Sequence, residues 1–244
     1  MMEQHNKPVI YLRVSTLSHV EICSKRAKSE TFSVNKGTIH YRRGSALDIG
    51  KRLHKQYGYY QIDYSADFKS MLREDEREQL KDDLSTYKVN GAFQKVLELP
   101  EVTVVVRGDF DDIRLLESKT GKLVSFIEVK TTGKKYMWSL EVQAAIRQLQ
   151  IYLWMLKEYC ESLGYPFNKH HYLEVFSQHT GVRMDRIPVE YDEHIEEWIT
   201  AAVYKFMGLQ AMNLAPYRYC IICPKSVKID CSYYQSRRME QFNE

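Results

Sequence analysis

Asp111, Glu128 and Lys130 are the residues whose types and spacing point first to chemistry. They lie in one stretch, Arg107 to Lys130, RGDFDDIRLLESKTGKLVSFIEVK. It reads as a β-hairpin. The β-branched run 102–106 forms the first arm and ends in Gly108-Asp109-Phe110-Asp111-Asp112. Lys119-Thr120-Gly121 supplies the turn, and Leu123 to Val129 forms the second arm. Side chains alternate across a strand, so Glu128 and Lys130 share one face and Val129 takes the other. Pairing of the arms can bring Asp111 beside Glu128. Two adjacent carboxylates repel unless a cation sits between them, and hard cations such as Mg²⁺ or Mn²⁺ take oxygen ligands of this kind. Lys130 could then orient a water or offset phosphate charge. Charged hairpin ends are common on solvated surfaces. Here Phe126-Ile127 and Val129 give the second arm a buried look, and burying Glu and Lys without partners is costly.

Other elements must position these groups. Val9 to Val14 reads as a short strand, with Thr16 or Ser18 capping a helix that runs toward Lys28 and carries Cys23. Phe32 to Tyr41 leans to β structure. Ser45 with Asp48 resembles a capping box and opens a helix over Ala46 to Tyr57, with His54 at the border of its apolar face. Over 61–101 ten acids outnumber six bases. Phe68 to Leu84 there reads as a charged helix and Gly91 to Leu97 as a shorter one. Ser139 to Cys160 carries an apolar stripe of Val142, Ala145, Ile146, Leu149, Leu153, Leu156 and Cys160 at helical spacing. Gln148 and Tyr152 are i, i+4 neighbours on its flank. Tyr172 to Phe176 and Val182 to Val189 read as strands. Asp192 to Met212 reads as a helix with Ile195, Trp198, Ile199, Ala202 and Phe206 inward.

The order strand, strand, helix with D…ExK and then QxxxY resembles the PD-(D/E)xK nuclease superfamily, in its RecB-like branch. Gly108 to Asp111 matches the branch's GxxD segment, Glu128-Val129-Lys130 its (D/E)xK step, and Gln148 with Tyr152 its helical QxxxY. His54, in Gly50-Lys51-Arg52-Leu53-His54, matches an upstream metal-binding histidine. The resemblance implies His54, Asp111 and Glu128 as metal ligands, with the Val129 carbonyl as a fourth. It makes Lys130 the residue that positions or activates water, and gives Gln148 and Tyr152 the task of orienting the site or the scissile phosphate. Asp109 and Asp112 compete with Asp111 for the acidic position.

Cys23, Cys220, Cys223 and Cys231 resemble the pattern of iron–sulfur nucleases of the CRISPR-associated RecB-like type and of related viral and helicase-linked nucleases. There one upstream cysteine joins three near the C-terminus to hold a [4Fe–4S] cluster. Four thiolates can also hold zinc, the second choice for this one-plus-three arrangement. Cys160, on the helix stripe, reads as a core residue.

The 244 residues, 44% hydrophobic and 27% charged, fit a globular chain with no apolar run of membrane-span length. No signal-peptide core is visible at the N-terminus, so the expected location is cytoplasmic. Five cysteines, an odd number, argue against a disulfide framework. Net charge is only +3, but 7–55 holds eleven Lys/Arg against three acids, a plausible phosphate-facing surface.

The expected architecture is a restriction-endonuclease-like α/β core. Strands 102–107, 123–130, 172–177 and 182–189 would form one central mixed sheet under the 139–160 helix, and the iron–sulfur module would join the two ends. One nuclease domain would span 1–244. Within it, 1–60 would be an N-terminal helical part, 61–100 a charged insertion, 101–190 the core and 191–244 the cysteine-bearing end. The expected function is a Mg²⁺- or Mn²⁺-dependent DNA nuclease on single strands or free ends. The resemblance suggests 5′→3′ exonuclease activity, endonuclease activity on single strands, or both. Protein partners would come from recombination, replication or CRISPR adaptation, with no membrane, and self-association is open. The alternative is a nucleic-acid-binding or assembly subunit that does not cut.

Overall fold

The computed structural model describes residues 7–20, 22–24, 27, 70–71, 74–118, 121–210, 231 and 235. The expected elements at 32–41 and 46–57 lie outside them, as do His54, Cys220 and Cys223. The described chain is a mixed α/β fold of two sheets flanked by helices. No described helix is long and apolar enough to cross a membrane.

The larger sheet has five strands in the order β2 (Ser70–Met71), β5 (Asp112–Ser118), β6 (Gly121–Thr132), β7 (His171–Ser177) and β8 (Arg183–Val189). Its centre, β6, pairs antiparallel with β5 and parallel with β7. The smaller sheet places β4 (Thr103–Gly108) between β1 (Val9–Arg13), parallel, and β3 (Phe93–Glu98), antiparallel. The single central sheet expected from the sequence is therefore two sheets. The run 102–106 does not pair with 123–129. The antiparallel partner of β6 is β5, and Asp109 to Asp111 is the crossover between the sheets.

Two further expectations are corrected. Residues 93–98 form a strand rather than a helix, because they gain a full ladder to β4 after a tight turn at Asn90 and Gly91, both at positive φ. The charged helix starts at Glu74, not Phe68, since Ser70–Met71 pairs with β5.

Four helices complete the described fold: α1 (Val14–His19), α2 (Glu74–Ser85), α3 (Ser139–Ser162) and α4 (Ile195–Met207). α1 begins directly after β1, ahead of the expected Thr16 or Ser18 cap. The expected stripe of α3 faces the core, with Ala145, Leu149, Leu153, Leu156 and Cys160 buried and Val142 and Ile146 packed against them. Burial pushes the Cys160 thiol up to about 12, as suits a core residue. α4 buries Ile195, Ile199, Ala202 and Val203, while Trp198 and Phe206 pack at the margin. The 24-residue α3 lies across β6, and that crossing brings its polar flank to Glu128 and Lys130.

His171, on β7, accepts a hydrogen bond from the Phe126 backbone N–H at Nδ1 (3.1 Å), so Nε2 carries the ring proton. Burial, with the neighbouring His170, lowers its pKa to about 3. An unfolded histidine titrates near 6.5. Between those values the unfolded chain binds the extra proton, so stability is lost as pH falls from about 6.5 toward 3, by up to ~1.4 kcal/mol per pH unit. Denaturant unfolding across this range should show a shallower pH slope for His171→Asn. An unchanged slope would place the acid sensitivity elsewhere.

Candidate metal and catalytic site

Asp111, Glu128, Lys130, Gln148 and Tyr152 come from the inter-sheet crossover, β6 and α3, and they meet on the α3 side of β6. Asp111 is exposed at the lip of the site, and its Oδ2 accepts the Val129 backbone N–H at 2.8 Å. This bond fixes the crossover against β6. Glu128 lies beneath it, 1% exposed. Lys130 donates from Nζ to Glu128 Oε1, and to Gln148 Oε1 at 3.0 Å. Gln148 in turn donates from Nε2 to the Tyr152 hydroxyl at 3.4 Å. A polar chain thus runs Glu128–Lys130–Gln148–Tyr152, built on the period of 2 in β6 and the i, i+4 spacing of α3.

The three candidate aspartates separate by their partners. Asp109 binds Lys88 at 2.7 Å. Asp112 is buried and held by Arg114 at 2.9 Å and Lys81 at 3.2 Å. Asp111 is the one whose charge acts on Glu128. The sequence left this choice open; Lys88 and Lys81 are distant in the chain from the aspartates they pair with, while Arg114 lies two residues from Asp112 on β5.

Glu128 is electrostatically unlike the other buried carboxylates of the larger sheet. Asp112 has two cationic neighbours. Glu174, fully buried on β7, has Arg183 at 3.2 Å and Arg186 at 3.5 Å. Glu128 has Lys130 alone, and its Oε2 is buried with no hydrogen-bond partner among the described residues. Burial, then the adjacent Asp111 charge, pushes its carboxyl up to about 8, against the pull of Lys130. Burial disfavours the Lys130 ammonium, but the Glu128 and Asp111 carboxylates outweigh it and hold that pKa above the usual range. Burial and the Glu128 charge raise Tyr152 well above the ordinary phenol value, so it remains a neutral hydroxyl.

An orphaned oxygen beside a second carboxylate suits a hard divalent cation, which would satisfy the oxygen and reverse the repulsion. Asp111 and Glu128 supply two donors. No group of three or more His, Cys, Asp or Glu side chains placed to hold an ion occurs among the described residues. His54, the expected third donor, lies outside them. Among the expected cluster cysteines, Cys23 is half-buried and Cys231 buried, both as free thiols.

Sequence reasoning missed the role of Gly108. A Cβ there would stand 2.8 Å from Val14 Cγ2 and 2.9 Å from Tyr152 Cε1. Glycine therefore lets the Tyr152 ring lie directly against the end of β4. The site opens on two sides. A cavity of about 390 Å³ reaches Gly108, Asp109 and Tyr152, and one of about 400 Å³ reaches Lys130, Gln148, Lys134 and His19.

No family model matches the chain, and no curated protein matches it. Among solved structures, the crystal structure of SSO0001 is similar in fold: TM-score 0.53, 15% sequence identity, covering 96% of this chain and 89% of that one. At this identity the likeness extends to the fold alone.

Proposed function

We propose that the protein is a divalent-metal-dependent nuclease that hydrolyses DNA phosphodiester bonds, on single strands or free ends, in a restriction-endonuclease-like fold of the RecB-like branch. The observation that carries this reading is the buried, singly partnered Glu128 facing Asp111 and tied through Lys130 to Gln148 and Tyr152. Asp111 and Glu128, with His54 and the Val129 carbonyl, would hold Mg²⁺ or Mn²⁺. When bound, such an ion lowers the pKa of water and neutralises phosphate charge. Glu128 keeps Lys130 cationic and fixed in direction. Lys130 holds the attacking water or a phosphate oxygen, and Gln148 sets the Lys130 rotamer. Tyr152, a neutral hydroxyl, can donate to a phosphate oxygen. In this reading Cys23, Cys220, Cys223 and Cys231 hold a [4Fe–4S] cluster that ties the two ends of the chain together. Zinc is the second choice.

End-labelled single-stranded DNA, incubated with Mg²⁺ or Mn²⁺, should be degraded by wild type, spared in EDTA, and spared by Asp111→Ala. Equal degradation by wild type and Asp111→Ala would refute the reading. DNA binding with no cleavage under either ion would favour a binding or assembly subunit instead.

A further inference from the structure

The outer face of the smaller sheet adjoins the site and carries chemistry that the metal centre does not use. On β1, buried Leu12 turns Tyr11 and Arg13 outward, and the Tyr11 side is 58% exposed. β1 and β4 are parallel, with Arg13 in register with Arg107. Neighbouring strands lie ~4.8 Å apart, so the stems of two arginines start side by side on one face. Neither guanidinium has an ion-pair or hydrogen-bond partner among the described residues. Like charges at this spacing repel, and an anion between them relieves that cost. The nearby Asp109 does not serve, because Lys88 holds it at 2.7 Å. Tyr11, Arg13 and Arg107 line the same cavity as Gly108 and Tyr152, of about 390 Å³, within the ~300–1,000 Å³ common for small-ligand sites.

We propose that Tyr11, Arg13 and Arg107 form a nucleotide subsite beside the metal centre, with the base of an unpaired nucleotide on the Tyr11 ring and its phosphate between the two guanidiniums. The inference rests on the nuclease reading and names the form of its substrate. A base in a duplex has both faces stacked and cannot lie on a tyrosine, so the subsite selects single strands. The cavity it shares with Tyr152 places it one step from the Gln148–Lys130 pair. A strand leaving the centre would cross Gly108 and run onto the β1–β4 face.

Anisotropy of a labelled oligodeoxythymidylate, measured in EDTA, tests binding apart from cleavage. Tyr11→Ala should weaken binding about tenfold, and Tyr11→Phe should retain it. Arg13→Gln and Arg107→Gln should each reduce the slope of log affinity against log salt by ~0.7. A duplex of the same length should be insensitive to Tyr11→Ala. Tyr11 is largely exposed, so its truncation should leave the melting temperature unchanged. The subsite is overturned if all three loss variants bind like wild type, or if wild type has no affinity for the single strand. Cleavage that stays metal-dependent in that case leaves the nuclease reading standing. Impaired binding in these variants, with no cleavage by wild type, refutes the nuclease reading and leaves the subsite.

Discussion

Glu128→Gln should abolish metal-dependent cleavage and, in the same protein, remove a pH-dependent weakness of the metal-free fold. The substitution keeps the shape of the side chain and deletes its charge. If the ion supplies several kcal/mol of transition-state stabilisation, loss of a ligand worth about 4 kcal/mol lowers the rate roughly a thousandfold. The stability effect has the opposite sign. Burial and the Asp111 charge push the Glu128 carboxyl up to about 8 in the folded metal-free chain, against 4.5 for an unperturbed side chain. Between these values the folded state holds a proton that the unfolded state has released. Stability is therefore fully present below about 4.5 and falls as pH rises toward 8. Mg²⁺ or Mn²⁺ should restore it, because a bound cation favours the ionised carboxylate. Glu128→Gln should show neither the decline nor the restoration. Melting curves from pH 5 to pH 8, with and without Mn²⁺, check both halves. A variant that still melts higher with Mn²⁺, by as much as wild type, would place the ion elsewhere.

Gly108→Ala should damage the site through Tyr152. Gly108 has no positive φ, so space rather than backbone freedom requires glycine here. The added Cβ would meet Val14 and Tyr152 below 3.0 Å. Val14 is fully buried and Tyr152 nearly so, and neither is the loose end of a flexible side chain. Overpacking of this kind typically costs ~1–3 kcal/mol. Relief by movement of the Tyr152 ring would break its 3.4 Å contact with Gln148 and loosen Lys130. The melting temperature should fall and the cleavage rate should drop by about tenfold or more, a rise of about 1.4 kcal/mol in the barrier. Tyr152→Phe should reproduce part of the rate loss without the clash. The two changes should be non-additive in rate, since both act through one hydroxyl. Additive effects, or an active and stable Gly108→Ala, would remove this positioning role.

The (D/E)xK step was legible because β6 is long and apolar around it. Alternation alone puts Glu128 and Lys130 on one face and buries Val129. Gln148 and Tyr152 were legible from helical spacing, and α3 carries both against β6. The two-sheet arrangement was not. A run such as 102–106 reads as a strand whichever partner it takes, and its partners, β1 and β3, lie outside the stretch that suggested a hairpin. The helix expected over Gly91 to Leu97 is instead a strand at 93–98, and Asn90-Gly91, bridging Val89 and Ala92, is the two-residue turn signal that precedes it. The different surroundings of Asp111 and its neighbours come largely from Lys88 and Lys81, which no local pattern joins to Asp109 and Asp112. The space filled at Gly108 by Tyr152 is likewise a contact between chain-distant residues.

Mn²⁺ binding followed by electron paramagnetic resonance tests the two-carboxylate centre most directly. Wild type should bind the ion, and both Asp111→Asn and Glu128→Gln, folded by their melting curves, should lose that binding. Equal stoichiometry and affinity in all three proteins would contradict a cation held between Asp111 and Glu128.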